Sequence, residues 1–482
     1  MNYTHTTRLF LCLLFFLSTH TVQAQIADSI AVGAHVGDPG ELSHDRHGPP
    51  SYQTLRFEED YSYLAESSER QRFSDRYKYI GLGSNVWLEM GGEVRFRYEE
   101  ETNKFLIPDP QFTDSFLLAR LALHADLQIK GVGRIFVEGI HGEVFGRDEL
   151  LFFIHRNRLD LHQLFFDLAL NNFTLRIGRQ EMAKGNERMI STSGWGRMRK
   201  RFDAITLISQ IQNWEVSAWF SRPVTSETIS SDYQDKDIDF AGIYLSGLSN
   251  TLDIYYLYQH NRDMGLNPNG NMGSGEVHTI GARFEKKNGP FDVELESAIQ
   301  PFGQWAGDDV RAWSVGATAG YSFLSSMRRP RIGVGVEIAS GDKDPTDGKV
   351  NTFNQLYRQE KDHLGYLVMY GRQNIRALNV NARVGLIPRK VLLEVFHYWF
   401  ALDSDNDALY NPGAFPLPGR RDFAGESGTN VGREIDLVLG WQVDRHHSLL
   451  IGYMHYSHGA FIQSTGDVKT PGNVFMQYKL LF

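Results

Sequence analysis

From Val86 onward the sequence alternates between apolar and polar residues with a period of two. The first stretch sets Leu88, Val94 and Phe96 against Glu93 and Arg95. Strict alternation predicts a β-strand, because successive side chains of a strand point to opposite faces. The pattern recurs in about eighteen runs, each roughly nine to twelve residues long. The sequence therefore predicts an all-β protein.

The length of these runs and the charge of their polar side favour one kind of β-structure. A strand of about nine to eleven residues crosses a bilayer at a tilt of about 45°. Strands of globular proteins are nearer five or six residues. The polar side carries full charges of both signs in mid-strand, which suits a water-filled interior. We therefore predict a transmembrane antiparallel β-barrel of about 18 strands with a polar lumen.

The final stretch strengthens this prediction. Val474, Met476, Tyr478 and Leu480 share one face with Phe482, the last residue of the sequence. A closing strand that ends in an aromatic residue resembles the signal read by the machinery that assembles outer-membrane barrels.

The beginning of the sequence indicates export from the cytoplasm. Arg8 precedes the apolar run 9–17, and Val22-Gln23-Ala24 fits a cleavage pattern, so residues 1–24 are predicted to be a signal peptide. The apolar run is too short to span a bilayer. The single cysteine, Cys12, lies within it, so the mature chain is expected to have no disulfide and no thiol chemistry. Residues 25–80 are predicted to be a periplasmic N-terminal extension, and residues 81–482 the barrel.

Charge excludes some functions and singles out one segment. The formal net charge is −9, with 49 Lys and Arg against 58 Asp and Glu, and an acidic total argues against a nucleic-acid partner. Residues 176–203 reverse this balance locally. After the strand that carries Arg176 and Arg179, six more cations stand against three acids: Lys184, Arg188, Arg197, Arg199, Lys200 and Arg201 against Glu181, Glu187 and Asp203. Sequence alone leaves open whether this basic loop folds inward or faces the outside water.

Four groups of short motifs resemble a known family. The first is Gly91–Arg95, and the second is Arg176–Gln180 with Gly185–Arg188, Trp195 and Arg201–Asp203. The third is Ser340–Asp342 with Thr352 and Phe353, and the fourth is Gly432–Asp436. In this order the motifs are similar to those of the alginate export family of eighteen-stranded outer-membrane barrels, over about residues 75–482.

The resemblance implies a channel in the outer membrane of a diderm bacterium, with a belt of lumen arginines that selects an anionic polysaccharide. The positions that match the belt by motif are Arg176, Arg179, Arg188, Arg201 and Asp203, and the inward parity of their strands adds Arg97 and Arg120. Arg179 falls on the lipid-facing parity, so we expect its strand to end before it or to shift register. The alternative is that these arginines form salt-bridge ladders that merely fill the lumen.

The leading hypothesis is passive, anion-selective passage of an acidic, alginate-like polysaccharide in the export direction. Its expected partners are the polysaccharide, outer-membrane lipid and periplasmic export components. A porin for uptake of small anionic solutes such as sugar acids is the alternative. A lipid-modifying barrel enzyme is a remote third, because His455 and Ser457 share one strand face, and a structural or adhesive barrel is a fourth.

The motifs of enzymes and metal proteins are weak or missing in the sequence. There is no GxSxG, P-loop or dinucleotide fingerprint in a strand–helix context, so we predict no enzyme and no cofactor. Residues 340–348 resemble a calcium loop but lack its closing glutamate, so an aspartate-rich turn is favoured. His446, His447 and His455 show no metal-binding spacing, and no metal site is predicted.

Overall fold

The computed structural model describes residues 52–66, 73–106, 112–147, 157–196, 198–227, 230–247, 251–359, 361, 363–466 and 468–482. The predicted signal peptide and Arg197 lie outside these residues. None of the helices in the described ranges is long and apolar enough to cross a membrane.

In these described residues, twenty-two strands follow one another, with little helix. The first half contains β1 Ile80–Gly81, β2 Val86–Thr102, β3 Thr113–Ile129, β4 Gly133–Phe145, β5 Asn157–Leu170, β6 Phe173–Gln180, β7 Phe202–Ile211, β8 Trp214–Thr225, β9 Tyr233–Gln234, β10 Ile238–Gly247 and β11 Leu252–Leu266. The second half contains β12 Met272–Asn288, β13 Phe291–Trp305, β14 Asp308–Val310, β15 Ala312–Ser322, β16 Arg331–Ala339, β17 Lys349–Val350, β18 Ile375–Ile387, β19 Val391–Ala401, β20 Asn430–Gln442, β21 His447–His458 and β22 Gly472–Leu481. The helices are α1 Asp75–Lys78 and α2 Ala460–Ser464, with 3₁₀ turns at Arg56–Glu58 and Ser62–Ala65.

Eighteen of these strands form a closed antiparallel barrel, as the sequence predicted. Each pairs with its neighbours along the chain, and β2 pairs with β22 to close the ring. The ladder continues to Phe482, whose N–H donates to the Gly92 carbonyl at 3.0 Å and whose carbonyl accepts the Gly92 N–H at 2.8 Å. Closure leaves no unpaired edge, which a bilayer would not tolerate. The four short strands β1, β9, β14 and β17 extend the ladder at its ends.

The alternation of the sequence sets the two faces of the wall. Phe96, Ile177 and Ile205 lie on the outer face and are 43%, 42% and 54% exposed. Arg95 and Arg97, on the opposite parity, are 3% exposed. The outward apolar surface matches the acyl chains of lipid, and the inward charges make the lumen polar.

The connections at the two ends differ in length. One end has two-residue turns such as 171–172, 212–213 and 289–290, and the other carries segments 181–201, 340–374 and 402–429. Short turns face the periplasm in barrels of this kind. Phe482 and residues 52–66 and 73–81 are therefore at the periplasmic end.

Residues 52–66 and 73–81, which we call the N-terminal segment, pack inside the periplasmic mouth. Phe57 lies edge-on to Phe136 and Phe165, with ring centroids 5.8 and 5.1 Å away. Arg56 donates to the carbonyls of Gly92 and Phe482, each at 3.1 Å. Part of the segment predicted as a periplasmic extension, around Arg56 and Phe57, thus lies in the mouth of the lumen.

Two segments from the other end also fold into the barrel, and we call them loop 181–201 and loop 340–374. Ile190 of the first and Phe353, Leu367 and Met369 of the second are fully buried. A short parallel bridge joins the loops, in which Ser191 donates to the Tyr357 carbonyl at 2.9 Å. The basic loop that the sequence singled out therefore faces the lumen rather than the outside water.

Candidate solute pathway

Loop 181–201 crosses the barrel from one wall to the other. On β2, Arg95 donates to the carbonyls of Gly194 and Gly196 at 2.8 and 2.6 Å, and Arg97 donates to the Trp195 carbonyl at 2.8 Å. Arg97 also lies over the Trp195 ring, 4.0 Å from its centroid. Arg95 and Arg97 thus hold residues 194–196 of the loop against β2, the strand that closes the barrel with β22.

Arg120 on β3 reinforces this attachment. Its guanidinium binds Glu93 with contacts of 2.7 and 2.6 Å and reaches the Gly196 carbonyl at 3.1 Å. Arg97 is likewise paired, with Glu99 at 2.6 Å. Arg97 and Arg120 both face the lumen, as predicted. However, both guanidinium groups bind carboxylates and backbone carbonyls of loop 181–201.

Arg188 reaches the opposite wall. Its guanidinium is fully buried among Glu294 and Glu296 of β13 and Glu337 of β16, with contacts of 3.4 Å to Glu296 and 2.8 Å to Glu337. Burial disfavours the charged form, but the three carboxylates outweigh it and raise the pKa of Arg188 well above its usual value. Gly316 of β15 makes room, because a Cβ there would lie 2.4 Å from the Arg188 Nε.

Arg176 of β6 is also on the lumen face. It makes a bidentate pair with Asp167 of β5, at 2.7 and 2.8 Å. Its guanidinium lies 4.3 and 4.4 Å from the ring centroids of Phe57 and Phe165. Arg176 therefore seats the N-terminal segment in the barrel.

Arg179 and Asp203 face outward, which corrects their prediction as pore residues. The two are directly paired across β6 and β7 without a register shift, and they bind each other at 2.8 and 3.3 Å. The expectation that the strand ends before Arg179 or shifts there is wrong. An outward ion pair is tolerated because it lies at the rim, within three residues of the strand ends.

Arg201 lies at the same rim and turns toward the segment between β8 and β9. It binds the Asp232 carboxylate and donates to Ser226 Oγ at 3.0 Å. Burial, with the nearby charge of Arg179, lowers its pKa to about 10. The seven predicted residues thus divide into four that face the lumen, Arg201 that ties down a rim segment, and an outward pair.

Loop 340–374 is held by acids of the wall. The carboxylate of Glu434 accepts the Leu367 N–H at 2.9 Å, and Asp436 accepts the Tyr366 N–H at 3.1 Å. Gly365 permits this approach, since its φ is +88° and a Cβ would lie 2.5 Å from Glu434. The predicted aspartate-rich turn lies in the same loop, where Asp342 accepts the N–H groups of Asp344 and Asn351 at 3.0 and 3.3 Å.

Sequence reasoning missed the partners that determine the site. Arg95, Glu294, Glu296 and Glu337 all lie on the inward parity of their strands, so facing could have identified them. No local pattern indicates that Arg188, 106 residues before Glu294, meets it.

A cavity of about 250 Å³ remains between Gly185 and Asn186 of loop 181–201 and the wall from β12 to β19. Its cations are Arg283, Lys286, Lys287, Arg331 and Arg383, and its acids are Glu285, Asp292, Glu294 and Glu394. Arg331 is held by Asp292 at 2.9 Å and donates to Asn381 at 3.0 Å. In the described part of the chain, neither Lys286 nor Lys287 has a carboxylate oxygen within 4 Å. The cavity therefore presents cationic side chains to the lumen, whereas Arg97, Arg120, Arg176 and Arg188 are each paired with a carboxylate.

His455 and Ser457 lie on the outer face of β21, where His455 is exposed. No hydrogen bond joins them among the described residues, although they share a face as predicted. The arrangement lacks the base contact that a nucleophile requires.

These features define an outer-membrane β-barrel channel whose lumen is crossed by inward loops. The family model for alginate export matches residues 86–475, and the chain belongs to that family. The resemblance drawn from the motifs is thereby confirmed, as are the prediction of a channel rather than an enzyme and the outer-membrane location. No curated protein sequence matches the chain.

Solved porins of Pseudomonas aeruginosa share the fold at low sequence identity. OccK5 (OpdH) is 11% identical with a TM-score of 0.54, over 82% of this chain and 98% of that one. OpdK with vanillate is 9% identical with a TM-score of 0.55 over the same shares. OccK2 (OpdF) in complex with glucuronate is 11% identical with a TM-score of 0.52, over 82% and 96%.

Proposed function

We propose that the channel passes an acidic, alginate-like polysaccharide by anion-selective diffusion, in the export direction. The observation that carries the proposal is the cavity beside β12–β19, where Lys287, Arg331 and Arg383 line a space bordered by asparagine and glycine. Cations in a narrow space with low-dielectric walls concentrate anions. The interleaved acids Asp292 and Glu394 keep each binding step weak, as conduction requires.

The paired arginines have a different role in this proposal. Arg97, Arg120, Arg176 and Arg188 hold the loops and the N-terminal segment, which restrict the lumen to the cavity side. This proposal combines the two alternatives that the sequence left open: salt-bridged arginines hold the inward segments in place, and the anion path follows the cavity that these segments leave.

Single-channel recording in planar bilayers tests the selectivity. A salt gradient across the wild-type channel should give a reversal potential of the sign for anion permeation. Lys287→Gln and Arg383→Gln should each reduce the anion-to-cation permeability ratio by about two-fold or more, because each removes lumen potential. Arg433→Gln, an exposed arginine on the outer face of β20, is the matched control and should change nothing. A cation-selective wild-type channel would refute the proposal.

Uptake of small anionic solutes is the second candidate. It is favoured by the fold shared with porins solved with vanillate and glucuronate, and by a cavity of about 250 Å³, just below the lower end of the volume range of small-molecule sites. Current blockade separates the two candidates. An acidic oligosaccharide that blocks at concentrations well below those of glucuronate supports the polysaccharide, whereas equal or weaker blockade supports the small solute.

The predicted division of the chain is proposed alongside this function, with residues 1–24 removed, residues 25–80 on the periplasmic side and residues 81–482 as the barrel. Intact-mass measurement of the protein purified from outer membranes should show a chain that begins at Gln25. Periplasmic export components remain proposed partners at the mouth that the N-terminal segment occupies.

A further inference from the structure

A buried cluster of histidine and carboxylate side chains lies where loop 181–201 leaves the wall. Glu138 of β4, His162 of β5 and Glu181 are buried, and one ligand atom from each lies within 4.8 Å of the others. His162 Nε2 is 2.7 Å from Glu181 Oε1 and 3.8 Å from Glu138 Oε1. None of these three residues is used by the solute pathway described above.

The charges of the cluster do not balance. Glu181 is held by Arg199, with contacts of 2.5 and 2.6 Å. Within the described residues, Glu138 has only the imidazoles of His124 and His162 as basic groups inside 4 Å, at 3.9 and 3.8 Å. A buried carboxylate without a cationic partner is costly unless it is protonated or coordinates a cation.

The two histidines supply an independent observation. The Nδ1 atoms of His124 and His162 are buried and make no hydrogen bond, and the His124 Nδ1 lies 3.9 Å from Glu138 Oε2. His162 Nε2 donates to Glu181 Oε1 at 2.7 Å, so metal binding requires the ring proton to move to the unpaired Nδ1, which leaves the Nε2 lone pair for an ion between the two carboxylates.

We propose that Glu138, His162 and Glu181 form a binding site for one divalent first-row transition-metal ion such as Zn²⁺ or Mn²⁺, with His124 beside Glu138. Neutral imidazole together with carboxylates suits such ions, whereas Ca²⁺ prefers oxygen ligands alone. The site joins β4 and β5 to the first residue of loop 181–201. The bound ion therefore fixes the base of the loop that crosses the lumen.

Metal titration of the full-length protein in detergent tests the site. After EDTA treatment, the protein should take up one equivalent of Zn²⁺, measured by mass spectrometry of the metal content, and should bind Ca²⁺ at least ten-fold more weakly. Loading with Co²⁺ should give a visible d–d absorption band. If the wild-type protein takes up no stoichiometric transition metal, the proposal is overturned, whatever the variants do.

Two variants locate the ion. His162→Gln and the nearly isosteric Glu138→Gln should each weaken Zn²⁺ binding at least ten-fold and remove the Co²⁺ band. His278→Gln is the matched control, because His278 also lies 2.8 Å from a glutamate, Glu276, but on the exposed outer side. Folding of each variant is checked by the heat-dependent migration typical of intact barrels. Unchanged Zn²⁺ affinity in a folded Glu138→Gln protein would contradict the assignment.

Discussion

Individual arginines in this barrel differ in function according to what surrounds them. Arg188 is enclosed by three carboxylates and tethers a loop across the lumen, whereas Arg179 makes one pair at the outer rim. Both belong to the same sequence motif. Their chemistry is identical, so burial and the number of partners decide what each contributes.

Replacing Arg188 with alanine should destabilise the folded channel by about 3–5 kcal/mol, because three buried acids lose their cation. Arg179→Ala should cost less, about 1 kcal/mol, because it breaks a single pair that is only partly buried. Urea unfolding in detergent measures both. Freed from its anchor, loop 181–201 should also become cleavable by protease added outside. Equal destabilisation by the two substitutions would contradict the proposed tether.

At the scale of elements, the inward loops are attached through backbone groups as well as side chains. Loop 340–374 places the N–H groups of Tyr366 and Leu367 on Glu434 and Asp436, next to a glycine with a positive φ. Carboxylates of a wall strand thus satisfy the backbone of a loop that has no ladder of its own there. The acids of β20 therefore position the loop as well as temper the positive charge of the lumen.

Gly365→Ala should release this attachment. The alanine must adopt a left-handed backbone conformation, and its methyl group displaces the Glu434 carboxylate. We therefore expect the free energy of unfolding to fall by about 2–4 kcal/mol. Gly348→Ala, in the same loop with a φ of +72° and no atom within 4 Å of the new Cβ, adds the backbone strain alone, about 1 kcal/mol. Hydrogen exchange at the Tyr366 and Leu367 amides should rise only in the first variant.

For the molecule as a whole, the N-terminal segment closes part of the periplasmic mouth, and one of its lysines makes this closure depend on pH. Lys78 is buried, with its Nζ 4.6 Å from the Tyr61 ring centroid and 3.8 Å from Glu59. Burial, with the charge of Arg56, lowers the pKa of Lys78 to about 7. Below pH 7 the docked lysine must carry a charge that its surroundings disfavour, at a cost of a few kcal/mol.

The docked segment should therefore become more stable as pH rises from about 7 toward the ordinary lysine pKa, because the undocked state binds more protons in this window. Proteolysis of the N-terminal segment in detergent should be faster at pH 6 than at pH 9. Lys78→Met should flatten this dependence, and Lys130→Met, a change in an exposed turn, should leave it intact. Equal pH dependence in the Lys78→Met protein would exclude the lysine as its source.

The sequence by itself determined the barrel, its approximate size of about eighteen strands and the direction in which most side chains face. The physical reason is that a bilayer requires strands of a certain length with an apolar outer side. This requirement appears in the sequence as long runs of alternating apolar and polar residues. It also pointed to the basic segment 176–203 and to the family. Only the tertiary structure decided that this segment crosses the lumen, that Arg188 meets acids of β13 and β16, and that Arg179 and Asp203 face outward. Those outcomes depend on contacts between residues distant in sequence, and alternation fixes only the face of each strand residue, not its partner.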